Sequence, residues 1–250
     1  MKAIIAMTFL FAATPCVAAE IEIALTDDLV AVDTGFAGAR LTLFGAVTGV
    51  DDPASVDIVS VIRGPAARFH VREMQKSNLI WTPGPPHAVD GAPGLYLTYS
   101  TRPINDIVPL PVQVDYRLDA EYLDFQIGRD GAALDDGERH ALFRSAFLSE
   151  AEDLGLYDAR VGGVAFKKGS LFTISARLPA NTPVGAYEVS VYLFRHGELL
   201  GSDTAALAVN RVGLERRIYD FAHERPISYG LFCVALSLLA GWIASLAFRK

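Results

Sequence analysis

Residues Ile227 to Phe248 read ISYGLFCVALSLLAGWIASLAF, 22 positions without a charged side chain. As a helix rising about 1.5 Å per residue, the run covers roughly 33 Å, enough for the ~30 Å hydrocarbon core of a bilayer. Each Leu, Ile, Phe or Val near its centre favours insertion by about 0.3–0.6 kcal/mol, and no charge opposes them. Tyr229 and Trp242 sit toward opposite ends, where interfacial aromatics belong. The expectation is a single-pass transmembrane helix over 227–248, followed by a two-residue tail, Arg249-Lys250. Ser237, Gly241 and Ser245 are spaced four apart on one helix face, a small-residue pattern that lets two backbones approach closely in lipid. Cys233 reads as a small apolar residue of the same helix.

The other apolar concentration is at the N-terminus. Lys2 supplies a positive start, Ala3 to Ala13 an apolar run, and Val17-Ala18-Ala19 the small residues of a cleavage site before Glu20. This is the pattern of a secretory signal peptide over residues 1–19, too short to span a bilayer. Pro15 before Cys16 does not suit lipid attachment, so Cys16 is expected to leave with the signal. Export of the N-terminus leaves the C-terminus behind, and Arg249-Lys250 then obey the positive-inside rule. Arg216, Arg217 and Arg225 weaken that charge asymmetry, so the orientation rests mainly on the signal peptide. The expected location is the bacterial inner membrane, with the domain in the periplasm and the C-terminus cytoplasmic.

Between these ends, residues 20–210 hold 26 Asp+Glu against 15 Lys+Arg, a net of −11, while the last 40 residues carry 6 basic against 3 acidic. An acidic domain argues against nucleic-acid binding, which needs a basic face. With 2 Cys in the chain, neither a disulfide scaffold nor a cysteine-ligated zinc module is available, and the core alone must hold the domain. Its periodicity is mostly two. Leu41, Leu43 and Val47 share a side, and Ala67, Phe69 and Val71 alternate with Arg68, His70 and Arg72. Val112, Val114, Tyr116 and Leu118 alternate with polar residues, as do Phe172 to Leu178; Leu123, Phe125 and Ile127 follow the same spacing. Such segments between Gly, Pro and Asp clusters predict half-buried antiparallel strands, and eight or more predict an immunoglobulin-like β-sandwich of two packed sheets. Tyr187 to Phe194 is apolar on both faces, as where a sheet is covered twice.

Two stretches depart from that pattern. Leu142, Phe143, Ala146, Phe147, Ala151 and Leu154 predict an inserted amphipathic helix within 136–154. Trp81 to Gly94, WTPGPPHAVDGAPG, predicts a Pro/Gly-rich loop, and a boundary between two small β units would fall at 83–94. Leu214, Ile218, Phe221 and Ala222 predict a juxtamembrane amphipathic helix over 211–226, with Pro226 favouring a break before the membrane helix.

The sequence holds no Gly-x-Ser-x-Gly, Ser-x-x-Lys or His-Glu-x-x-His motif and no phosphate-binding glycine loop, so no enzyme activity, cofactor or metal site is expected. His87 and Asp90 have a ligand-like spacing but read as a solvated loop. Asp27-Asp28, Asp51-Asp52 and Asp135-Asp136 read as turn residues. The remaining polar set is basic: Arg63, Arg68, His70, Arg72 and Arg102. Clustered arginines suit either bidentate binding of a small oxyanion or docking of an acidic partner surface, and ordinary surface pairing with carboxylates is the competing account.

Val209 to Glu215, Tyr219 to Ala222, Pro226, Tyr229 to Leu231 and Gly241-Trp242 resemble the alphaproteobacterial transmembrane protein family (Alph_Pro_TM). The resemblance extends through Phe44-Gly45-Ala46, Arg63-Gly64-Pro65, Arg102-Pro103, Gly155-Leu156-Tyr157, Leu178-Pro179, Pro183 to Tyr187 and Leu193 to Arg195. It carries no catalytic residues. It implies a partnership with a membrane permease of the sulfite-exporter type. The expected function is therefore a membrane-anchored periplasmic accessory protein, with a periplasmic oxyanion-binding module as the alternative.

Overall fold

A computed structural model describes residues 19–33, 35–50, 52–77, 80–129, 132–133, 137–167, 169–211 and 221–247. The expected signal peptide, apart from Ala19, and residues 212–220 of the expected juxtamembrane helix lie outside the described residues, as do Asp51, Asp135, Asp136 and 248–250.

The chain is mainly β, and among the described residues the strands divide into three sheets. The first, all antiparallel, has the order β1 (Glu20–Leu25), β3 (Ala39–Thr48), β12 (Leu171–Leu178), β11 (Val164–Phe166). The second has six strands: β10 (Tyr157–Val161), β7 (Tyr96–Ser100), β4 (Asp57–Arg63), β13 (Gly185–Arg195), β14 (Glu198–Arg211) and β2 (Leu29–Val32). Its outermost pairs, β10 with β7 and β14 with β2, run parallel, whereas its inner pairs are antiparallel. The third joins β5 (Ala66–Ser77), β6 (Ile80–Pro93), β8 (Gln126–Arg129) and β9 (Ala132–Ala133).

Alternation builds the core where it was expected. In β12, Phe172, Ile174, Ala176 and Leu178 are buried, and in β3 Leu41, Leu43 and Val47 are. These side chains face the six-stranded sheet: the Arg177 backbone N–H donates to the Tyr99 hydroxyl across the two layers (3.3 Å), and the Ile23 N–H to Asp203 Oδ2 (2.9 Å). The six-stranded sheet is covered on its other face too, so β4 and β7 are buried on both faces along most of their length, and β13 is largely so from Val189 to Phe194. The second cover includes α1 (Ile104–Ile107) and α2 (Leu110–Tyr116), whose Tyr116 ring lies 5.3 Å from that of Tyr192.

Helix α2 corrects the strand expected over Val112 to Leu118. Residues 112 and 116 fit a helical repeat as well as an alternating one. Pro111 sits in the first helical turn, where its missing N–H is no loss. The buried Gln113 amide donates to Asn105 Oδ1 and Val108 O, both at 3.0 Å, and Arg117 ends the helix with φ of 48°.

The second correction is at 81–94, which forms most of strand β6 rather than a loop. Its prolines at 83, 85 and 86 fall outside the Ala88–Asp90 stretch paired with β8, and the register shifts beside them, between Arg72 and Met74. A free edge and a bulge are among the places where a sheet accommodates proline. The β5–β6 hairpin prolongs the β4–β7 pairing: Arg63 pairs with Tyr96, Gly64 N donates to Leu95 O (2.8 Å), Gly94 N donates to Pro65 O (2.7 Å), and Ala66 pairs with Pro93.

Helix α3 (Gly137–Asp153) matches the expected amphipathic helix but buries a narrower stripe, Phe143, Phe147 and Ala151, leaving Leu142 and Leu154 exposed. It runs beside the hairpin. Phe147 packs on Phe69, Phe143 on His87, and Arg139 pairs with Glu73. Helix α4 (Pro226–Ala247) is the C-terminal apolar helix. Residues 221–224 are helical before it, and Arg225 interrupts the two, as expected where Pro226 cannot donate.

Candidate functional site

The five basic residues singled out in the sequence do not gather. Arg63 ends β4 and faces Glu188 on β13 at 3.8 Å. Arg102 lies at the opposite end of the same strand, where its Nε and Nη2 donate to Asp57 Oδ1 and Oδ2 (2.8 and 2.6 Å). Six strand steps of about 3.3 Å put roughly 20 Å between the two ends. Arg68, His70 and Arg72 share the exposed face of β5, in the third sheet, and Arg68 is paired there with Asp90. Among the described residues, no ion pair involves Arg72.

Two hollows border these residues. One, of about 610 Å³, is lined by Asp57, Arg102, Asn105, Asp106 and His196, beside the β13–β14 turn. Asp57 is its electrostatic centre. The Arg102 guanidinium holds the Asp57 carboxyl below the usual carboxylate range against the opposing effect of burial, and the Thr101 hydroxyl adds a hydrogen bond (2.9 Å). The same pairing raises Arg102. Two guanidinium donors are thus committed to a carboxylate, which makes this arrangement a clasp between β4 and the segment after β7. Asp57, 45 residues away in sequence, is the partner that inspection of Arg102 alone misses.

The other hollow, about 420 Å³, runs between β5 and α3. Phe69, Val71, Phe147 and Leu154 line it, with His70, Arg72 and Glu150 at its polar margin. His87, expected in a solvated loop, is buried on β6 with its ring 4.3 Å from that of Phe143. Its ring packs on Phe143, and among the described residues its buried Nδ1 meets no hydrogen-bond partner. Among the described residues, no three His, Cys, Asp or Glu side chains gather where they would hold a metal ion.

The apolar surface is elsewhere. Over Pro226–Ala244 the mean hydropathy is 1.9, and none of that stretch is buried against the rest of the protein. The 22 residues of α4 extend about 33 Å at 1.5 Å each. Ser237 and Gly241 are exposed on it, one helical step of four apart, and Ser237 Oγ donates to the Cys233 carbonyl (2.8 Å), satisfying its hydroxyl within the helix. Ser245 follows at the same spacing, and its side chain lies outside the described residues. A Cβ added at Gly241 would touch nothing, so this face has room for a neighbour.

The family model described as "Putative transmembrane protein (Alph_Pro_TM)" matches residues 20–250. The chain belongs to this family. The match takes in the whole β region and the apolar helix together. No curated protein matches the chain. Several of the motifs behind the resemblance have a packing reason. Gly45 leaves space for the Phe172 ring, which a Cβ would meet at 2.1 Å, and Gly64 lies where a Cβ would be 2.8 Å from the Tyr187 ring. At these two points the glycines serve the fold.

The sequence reading missed the exposed apolar tip of the β5–β6 hairpin, Met74, Ile80 and Trp81. Its signal was present: Ile80-Trp81 is an apolar pair, but the Pro/Gly run that follows drew the whole stretch into a loop.

Proposed function

We propose that this protein is an accessory subunit. Its β domain is held at the periplasmic face of the inner membrane by α4, and it serves a membrane partner there. The observation that carries this reading is the unburied apolar helix. Among the described residues nothing covers it, which leaves lipid or another protein's helix to do so. Tethering a domain raises its effective concentration beside membrane neighbours without any new contact. The face bearing Ser237, Gly241 and Ser245 suits close helix packing. The signal-peptide pattern of residues 1–19 supports the periplasmic side, and the family match begins at Glu20, the residue after the expected cleavage site. A permease of the sulfite-exporter type is the partner implied by the family resemblance. An oxyanion-binding module has less support, because Arg63, Arg68 and Arg102 each face a carboxylate.

Crosslinking in intact membranes, followed by identification of what is attached, tests this. A permease is expected among the products of the native chain and is expected to be lost when residues 226–247 are exchanged for an unrelated spanning helix. Retention of every attached membrane protein after the exchange would remove helix-mediated pairing. Failure to attach any membrane protein at all would remove the accessory role.

A further inference from the structure

The β5–β6 hairpin is built to reach something. It leaves the six-stranded sheet at the end where Arg63, Glu188 and Ala206 are in register, four to five residues from the end of β14 at Arg211. The chain exits toward α4 at that same end. From Ala66 to Ser77 the hairpin contour is about 40 Å at 3.3 Å per residue. Helix α3 braces it for part of that length, through Phe147 on Phe69, Phe143 on His87 and Arg139 on Glu73. Among the described residues, no ring contact or ion pair from α3 reaches the hairpin beyond Glu73.

The unbraced tip carries Met74 (52% exposed), Ile80 (67%) and Trp81 (63%). Large apolar side chains are ordinarily the last to be left at a projecting tip, and together they mark a contact surface. Their charged neighbours are chiefly basic. Across residues 66–93 the hairpin has Arg68, Arg72 and Lys76 against Glu73 and Asp90, inside a domain that is otherwise strongly acidic. Both acids are already paired, with Arg139 and Arg68, which leaves Arg72 and Lys76 as the cations nearest the tip. Tryptophan with aliphatic side chains, flanked by basic residues, is the composition that settles into the headgroup region of an anionic bilayer.

Distance permits it. The 14 residues between Arg211 and Pro226 span about 21 Å as helix and at most about 50 Å extended, a range that brackets the hairpin's own length. We infer that the tip of the β5–β6 hairpin, through Met74, Ile80 and Trp81, seats in the lipid surface of the membrane that holds α4. It forms a second point of attachment that sets the tilt of the β domain. This rests on the anchoring role of α4 and holds for either orientation across the membrane.

The chain has 2 Trp, one at each proposed contact, so its own fluorescence tests the idea. The full chain is reconstituted in vesicles of phosphatidylcholine and phosphatidylglycerol, with the phosphatidylcholine brominated at shallow or deep acyl positions. In Trp242→Phe, Trp81 is expected to lose emission with shallow bromines, and more than with deep ones. Adding Met74→Asp and Ile80→Asp should abolish that loss while the melting temperature of the β domain holds. In Trp81→Phe, Trp242 reports the anchor. Unquenched Trp81 beside quenched Trp242 overturns the inference and leaves the anchor standing, including the case where Trp81 is shielded from aqueous acrylamide by a second copy. An unquenched Trp242 overturns the anchor, and the inference with it.

Discussion

At Gly45 the constraint is room. It is paired with Phe172 across the β3–β12 ladder, and the Phe172 ring fills the place of its missing side chain. Gly45→Val should therefore destabilise the protein by about 1–3 kcal/mol, the usual cost of overpacking. Thermal melts of the full chain in detergent would show this, and Phe172→Ala in the same background should cost less than it does alone. Buried phenols supply a pH dependence, and three of them donate to backbone carbonyls. Tyr96 donates to the Arg117 carbonyl, Tyr157 to Pro93 O (2.8 Å) and Tyr187 to Pro183 O (2.6 Å). Burial raises the pKa of all three well above the ordinary tyrosine value. Below pH about 10 they are neutral in both folded and unfolded chains and stability is unaffected. Above it the unfolded chain releases protons that the folded one retains, so stability falls as pH rises. A melting temperature that declines on alkaline titration, less steeply in Tyr157→Phe, is the expected result.

At the scale of elements, α3 is the part whose role can be isolated. The Phe147 ring lies 5.1 Å from Phe69, 5.2 Å from Phe125 and 5.8 Å from Tyr157, so it joins the hairpin, the segment leading into β8 and β10. Phe147→Ala should cost about 3–5 kcal/mol. Amide exchange should quicken most in β5 and β6, with β13 still protected by its cover on both faces. Strands β3 and β12 were legible because each has one buried and one open face, so the alternation survives in the sequence. Residues 112–118 were misread because two apolar positions four apart satisfy either repeat, and only Pro111 tips the balance toward helix. Residues 81–94 were misread because proline counts against a strand everywhere except at a free edge or bulge, and an edge exists only after the sheet is assembled. The candidate site was less legible still. Arg63, Arg68 and Arg102 look like a cluster until Glu188, Asp90 and Asp57 arrive from other strands.

For the whole molecule the decisive relation is between the β domain and the membrane. Leu236→Arg places a charge in the middle of α4, at about 2.5–3.5 kcal/mol against insertion. The mutant chain should shift from the membrane to the soluble fraction of cells, and unchanged membrane recovery after alkaline extraction would show that α4 is not the anchor. What could be read from the residues alone is whatever depends on composition over one contiguous segment. The uncharged helix and the β character of the acidic region are of that kind, because transfer to lipid and alternation across a pleat are both local sums. The partners of each arginine, the helices that cover the second face of the central sheet and the projection of the β5–β6 hairpin required the tertiary structure. Each depends on which distant strands meet, and that is settled by the burial of the whole core at once rather than by any single stretch of it.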